Sequence, residues 1–302
     1  MPASQPARHG ETLRIFTPAP HVLAFYDGRF PGDHLPDSPN WEDWAYCLGL
    51  CSFAIVDAGE ALLYDTHMSV AHTQLIRRHL KSIGVTHMRV VMSHWHDDHV
   101  VGNAGFTDCE IIAHKFTARA LEQNRAALEG GTPPIPVTMP TRLFEGTLAL
   151  TVGNVAVELR HVDCHSHDGT VLFIPSTGLL LAGDTLEDTV TFVAEPERLA
   201  VHLATLREMQ SWPITTILPN HGDPAILAQG GYTPELIAAT IRYIERLRRC
   251  PSEPELATLS LPAFVADDLA SGTLIYHGAY EAVHRSNVAM ILSQAGLNPA
   301  PV

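Results

Sequence analysis

The run Ser93-His94-Trp95-His96-Asp97-Asp98-His99 holds three histidines and two aspartates within seven residues. A short apolar strand predicted at 88–92 leads directly into it. Two side chains at i and i+2 off a strand end point the same way, so His94 and His96 can share one metal ion. Asp98 and His99 fall where the chain bends into a predicted helix, and they can face a second ion nearby. Imidazole and carboxylate are borderline and hard donors that together suit zinc. The bland alternative, a histidine-rich loop that binds nothing, loses ground to sites further along the chain. Asp184 ends an apolar strand predicted at 179–182, within Gly183-Asp184-Thr185. A carboxylate there can bridge two ions through its two oxygens, or simply cap a helix. His221 follows a strand predicted at 214–218, within Pro219-Asn220-His221-Gly222. Loops at strand ends are where α/β folds gather such groups.

The H-x-H-x-D-H loop, a later histidine, an Ala-Gly-Asp-Thr strand end and a Pro-x-His-Gly loop occur here in one order over roughly residues 13–250. In that order they resemble the metallo-β-lactamase superfamily. The resemblance implies an α/β fold, an αββα four-layer sandwich of two mixed sheets flanked by helices. It implies that His94, His96 and His165 hold one metal, that Asp98, His99 and His221 hold the other, and that Asp184 bridges them. Two histidines compete for the third ligand of the first metal, His165 and His167, both in Cys164-His165-Ser166-His167-Asp168-Gly169-Thr170. The family ligand precedes Ser or Thr, a polar turn and an apolar strand. That register selects His165-Ser166, with 170–175 as the strand. Asp65, ending a strand predicted at 61–64, matches a family position that buttresses the metal loop.

Two metals ~3.5–4 Å apart can trap a bridging hydroxide and bring the pKa of its parent water towards neutrality. The expected function is therefore a dinuclear metal-dependent hydrolase of a small molecule. The bond would be ester-like: a lactone, thioester, β-lactam or related amide. Two zinc ions are expected as cofactors, with iron or manganese as alternatives. Asp184 and Asp98 are the candidate catalytic residues, Asp98 as a proton shuttle as well as a ligand. No Gly-x-Ser-x-Gly elbow offers a protein nucleophile. A phosphodiesterase or nuclease of the same fold and a mononuclear iron dioxygenase are the rivals. Diiron reductases of the family typically carry Glu where His96 stands. A metal-binding protein without catalysis is the least favoured reading.

The elements that must position these residues follow from periodicity and turn chemistry. Strands are predicted at 22–26, 51–56, 61–64, 88–92, 110–113, 147–151, 155–161, 170–174, 179–182 and 214–218. Helices are predicted from Ser69 to about Ile83, from near Asp98, and at 116–128, 195–211 and 234–250. Two more are expected after a Pro-rich linker at 251–262. The domain reading is a flexible tail at 1–11, one domain at 12–250, and a helical extension at 251–302 packing on it. The excursion at 28–45 either covers the site with Phe30, Trp41 and Trp44 or is a loop pinned by its own aromatics. Tyr280, His284 and Asn287 share a helical face that is expected to dock on the core. His114, His161, His202, His277 and His284 have no motif and read as structural histidines.

Composition narrows the partners. Of 302 residues 46% are hydrophobic and 17% charged, so a large core is affordable. The net charge of -14 opposes a phosphate backbone. The densest basic stretch, Arg242, Arg246, Arg248 and Arg249, reads as a solvated helix face and its last turn. A small-molecule substrate is expected, with no nucleic acid and no membrane. Five cysteines without a C-x-x-C pair, no apolar leader in the first residues and no apolar run of ~20 residues suggest a cytoplasmic protein.

Overall fold

The computed structural model describes residues 10, 12–30 and 40–297. The predicted tail at 1–11 lies outside the described residues apart from Gly10. Seven strands form one sheet in chain order: β1 (Arg14–Ala19), β2 (Val22–Asp27), β3 (Leu50–Asp57), β4 (Glu60–Tyr64), β5 (His87–Val91), β6 (Glu110–His114) and β7 (Arg142–Phe144). Five form the other: β8 (Thr147–Val152), β9 (Val155–His161), β10 (Thr170–Ile174), β11 (Leu179–Gly183) and β12 (Thr216–Pro219), side by side in the order β12-β11-β10-β9-β8. Both sheets are mixed. β1 to β4 pair antiparallel and β4 to β7 parallel. In the second sheet the β11–β12 pair is parallel and the rest antiparallel.

Helices in chain order are α1 (Trp41–Leu48), α2 (Val70–Ser82), α3 (Asp97–Val100), α4 (Lys115–Glu129), α5 (Leu199–Met209), α6 (Pro224–Ala228), α7 (Glu235–Leu247), α8 (Pro254–Ala257), α9 (Leu261–Phe264), α10 (Ala266–Ala270) and α11 (Tyr280–Gln294). Ser69 caps α2 as its sequence position predicts, its side chain accepting from the His72 amide.

Alternation sorts each central strand between two cores. Phe53, Ile55, Leu62, Tyr64 and Val91 face the second sheet and meet Leu159, Leu172 and Leu181. Ala54, Leu63, Val90 and Met92 face the other way, onto Ile76 and Leu80 of α2 and Leu121 of α4. Leu203 of α5 and Ile237 and Tyr243 of α7 join the core beyond the second sheet. The layers are helix, sheet, sheet, helix, as the resemblance implied. Emptying one such position, Leu63→Ala for example, costs ~2–5 kcal/mol.

Some elements differ from expectation. β1 lies at a sheet edge with half-exposed residues and Pro18, and β7 has only three residues, so neither carries a clear apolar pattern. The helix expected near Asp98 is a single turn that tightens into a 3₁₀ stretch, Val101–Phe106. The excursion at 28–45 ends in α1, and its residues 31–39 lie outside the described set. Among the described residues, α10 and α11 follow the expected linker, and the linker itself holds α8 and the start of α9. Proline at the first or second position starts α8 and α9, so the linker's prolines begin helices instead of preventing them.

Candidate metal centre

The strands β4, β5, β9, β11 and β12 all end on the same edge of the sandwich, and each delivers one part of the site. His94 and His96 follow β5, and Asp98 and His99 lie in α3. His165 is in the loop from β9 to β10, Asp184 follows β11 and His221 follows β12. All seven predicted ligands come together at the seam between the two sheets. The structure brings His165 into this group and leaves His167 outside it. The His167 Nδ1 lies 2.5 Å from Glu195 Oε1.

Two trios of donor atoms result. His96 Nδ1 lies 3.0 Å from both His94 Nε2 and His165 Nε2. In the other trio, His99 Nε2 is 3.3 Å from Asp98 Oδ1 and His221 Nε2 is 3.2 Å from Asp98 Oδ2. Asp184 Oδ2 lies between the trios. It is 3.1 Å from His99 Nε2, 3.4 Å from His221 Nε2, and 3.7 Å from both His94 Nε2 and His165 Nε2. The other oxygen of Asp184, Oδ1, is buried with no hydrogen-bond partner.

The outer nitrogens decide what the inner ones can do. His99 Nδ1 donates to Asp65 Oδ2 at 3.0 Å, His165 Nδ1 to the Phe192 carbonyl at 2.9 Å, and His221 Nδ1 to the Gly49 carbonyl at 2.6 Å. Each of these oxygens is an acceptor, so the outer nitrogen carries a proton, and the inner one is left with a lone pair whenever the ring is neutral. His96 Nδ1 is 3.0 Å from each of the other two nitrogens of its trio, and rings presenting lone pairs there cannot hydrogen-bond to one another. That spacing is close to the ~3.3 Å between donors around one tetrahedral zinc ion. The donor set therefore fits metal ions, with the orphaned Asp184 oxygen available to share.

Electrostatics separate the trios. Burial, reinforced by neighbouring imidazoles, holds His94 well below the ordinary histidine range and pushes His96 down to about 3. Burial likewise lowers His165. Burial would also lower His99 and His221, but the Asp184 and Asp98 carboxylates outweigh it and lift both well above the usual value. Asp184 is held well below the carboxylate range because His99 and His221 outweigh its own burial. One trio thus presents neutral donors, and the other demands positive charge, from protons or from a cation.

Several supports are backbone features. Asp65 is buried and its Oδ1 accepts from the Ser93 amide at 2.7 Å, while Oδ2 also accepts from Asn220 Nδ2 at 2.5 Å. It ties the β5 loop to the β12 loop. Asp65 and His165 both hold left-handed φ values, 62° and 66°, which cost non-glycine residues ~1–3 kcal/mol each. Before Asp184, Gly183 has φ 56°, and a Cβ there would sit 2.9 Å from the Tyr64 hydroxyl.

Sequence reasoning missed some of the surroundings. Glu187 is buried beside His165 and Asp184 and could serve as a further ligand. Burial and Asp184 push its carboxyl up to about 8. Its position three residues after Asp184 was the only available signal. A cavity of about 370 Å³ opens over the cluster, lined on its outer side by Trp44, Leu48, Phe192, Val283 and Ser286. Trp44 was a candidate for this role. Trp41 instead donates to the Pro133 carbonyl, and Phe30 packs against Arg14. Tyr280, His284 and Asn287 are buried as expected of a docking face, and the turn between them, Val283 and Ser286, reaches the cavity.

The sequence model of the metallo-beta-lactamase superfamily matches residues 49–221, and the chain belongs to that superfamily. Among solved structures, TMB-1 superposes with a TM-score of 0.59 at 19% identity, covering 78% of this chain and 97% of its own. A metallo-beta-lactamase from Pontibacter korlensis gives 0.56 at 16%, covering 75% and 99%. At these identities the likeness is one of fold. Among curated proteins, an atrochrysone carboxyl ACP thioesterase of Aspergillus terreus is 25% identical over 175 residues, 58% of this chain. The chain matches about half the length of that relative, 49%.

Proposed function

We propose that the chain is a dinuclear metal hydrolase, loaded with zinc, that cleaves an ester-like bond in a small molecule: a thioester, lactone, β-lactam or related amide. The observation that carries this is the pair of donor trios sharing Asp184, with outer nitrogens tied so that inner ones face each other. His94, His96 and His165 would hold one ion, Asp98, His99 and His221 the other, and Asp184 would touch both. Ions held there supply the Lewis acidity that polarises a carbonyl and makes water nucleophilic near neutral pH.

The chain's own residues do the rest. Asp65, Gly49 and Phe192 fix the ring orientation of His99, His221 and His165 through the outer nitrogens. Asp98 is 14% exposed and lines the cavity, where its carboxylate is placed to take a proton from water and return it to the leaving atom. Trp44, Leu48, Phe192 and Val283 keep bulk water from one side of the substrate. The thioesterase relative favours carbonyl over phosphoryl chemistry.

The basic helix face gives no support to a nucleic-acid substrate, because Arg242 pairs with Asp268, Arg249 with Glu253, and Arg246 donates to the Phe264 carbonyl. No described helix is long and apolar enough to cross a membrane, and the five cysteines form no disulfide. A cytoplasmic location suits those thiols. Elemental analysis should find close to two metals per chain, and a lactone, a thioester and a β-lactam should be tested beside a phosphodiester and a short RNA. RNA cleavage without turnover of the carbonyl compounds, or a single tightly held iron, would overturn the proposal.

A further inference from the structure

The outer wall of the cavity is built by elements far apart in sequence. Trp44 and Leu48 come from α1, Phe192 from the loop after β11, and Val283 and Ser286 from α11. Four of these five side chains are apolar. The wall is held in place by α11. Tyr280 donates to Glu187 Oε2 at 2.9 Å, Asn287 Oδ1 accepts from the Val193 amide at 2.8 Å, and Asn287 Nδ2 donates to the Thr191 carbonyl at 3.0 Å. The segment 187–193 that carries Phe192 is thus fastened to the same helix that presents Val283. On the other side, His277 Nε2 lies 2.7 Å from the Cys47 carbonyl, joining α1 to the turn before α11.

No permanently positive side chain lines this wall among the described residues. The described residues lining the cavity include Asp97, Asp98, Asp184 and Glu187, and neither lysine nor arginine. Arg29 is buried, with one guanidinium nitrogen 3.1 Å from the Asp188 carbonyl and its charge over the Tyr280 ring. An anionic group at the distal end of a substrate would lose water against Trp44, Leu48 and Val283 and gain no counter-charge. An alkyl or aromatic group there would gain by leaving water.

From the apolar outer wall and the lack of lysine or arginine among its described lining residues, we infer that this site takes an uncharged, apolar acyl group of on the order of ten heavy atoms. The acyl chain lies between α1 and α11, and its carbonyl end reaches the ligand cluster. Leu48, Phe192 and Val283 set the specificity. This rests on the hydrolase reading, and the two can fail separately.

The test uses the metal-loaded protein and two thioesters of N-acetylcysteamine with chains of equal length, octanoyl and octanedioyl, the second ending in a carboxylate. The octanoyl ester should be cleaved with kcat/KM at least ~10-fold higher. Leu48→Lys, at a half-buried position that a long side chain can leave for solvent, should narrow or reverse that ratio. Trp44→Lys, at the more exposed rim, provides the same switch if Leu48→Lys does not fold. Binding of 2-decanone, followed by calorimetry, should weaken at least ~5-fold in either lysine variant. Equal cleavage of the two thioesters, or a preference for octanedioyl, overturns the inference and leaves the hydrolase standing. Cleavage of neither, with 2-decanone bound and weakened by the lysine, overturns the hydrolase and keeps the apolar site. Failure of both cleavage and ketone binding overturns both.

Discussion

Two clusters of histidine and carboxylate sit on neighbouring parts of this molecule, and they have opposite electrostatic designs. At the sheet seam, five histidines and two aspartates turn their inner atoms towards common points, and no lysine or arginine intervenes. In the second cluster, Asp163, Glu195 and His202 also come within metal-binding distance of one another. There Arg198 pairs with Asp163 and its Nε lies 3.3 Å from Glu195 Oε2. His167 takes the other Glu195 oxygen. The arginine already supplies the positive charge that the carboxylates require, so this cluster is a closed ion-pair network. Residue types alone do not separate the two. What separates them is whether the donors are left facing each other or are paired off.

The largest effect should come from the residue that belongs to both halves of the first cluster. Asp184→Asn offers one neutral oxygen in place of two charged ones. Changes one layer further out from a metal already cost ~10–100-fold, so this variant should lose more than that in kcat/KM while keeping its secondary structure. Metal content should fall from about two per chain, the stoichiometry argued from the two trios. An Asp184→Asn protein with full activity and both metals would erase the distinction between the clusters.

Deleting one histidine from each cluster sharpens the comparison. His165→Ala should empty one metal position and abolish turnover. His167→Ala removes only a ring paired with Glu195, and should lower activity less than ~10-fold with metal content unchanged. The reverse order, with His167→Ala dead and His165→Ala active, would show that the second cluster is the functional one.

A smaller effect is expected from Arg198→Ala. It leaves Asp163 and Glu195 without their cation at a partly exposed site, which should cost about 1 kcal/mol in denaturant unfolding. Turnover should not change. The smallest effect concerns His202, whose Nε2 is buried without a hydrogen-bond partner. Burial holds its pKa down at about 4, against 6.5 for the free side chain. Between those values the unfolded chain takes up a proton that the folded chain refuses. Stability should therefore fall as pH drops from about 6.5 towards 4. His202→Leu should flatten that part of the urea-midpoint profile, and an unchanged profile would mean that the ring is not held neutral.

The ligand cluster was legible because its chemistry is concentrated. Four of the seven residues fall within 94–99, and Asp184 and His221 each end an apolar strand, a position readable from hydrophobic pattern alone. His165 needed more: His167 has the same side chain, and only the register of the following strand distinguished them. Of the cavity wall only Trp44 was legible. Val283 and Ser286 are ordinary residues on a helix whose docking face, Tyr280, His284 and Asn287, has the recognisable pattern. Their role comes from where α11 lands, which is a tertiary fact. The same holds for β1 and β7. An edge strand with no buried residue and a three-residue strand are specified by their neighbours more than by their own sequences.

The seam location of the seven residues has a further consequence. Four come from the sheet that is completed early in the chain and three from the sheet completed late. His96 and His165 are 69 residues apart, and His99 and Asp184 are 85 apart. Each proposed cation would tie the two halves together as a cross-link that closes a long loop. The late half must find the early half before either ion has its full complement of donors. Loading of the proposed centre would couple folding of this chain to how much free metal its surroundings supply.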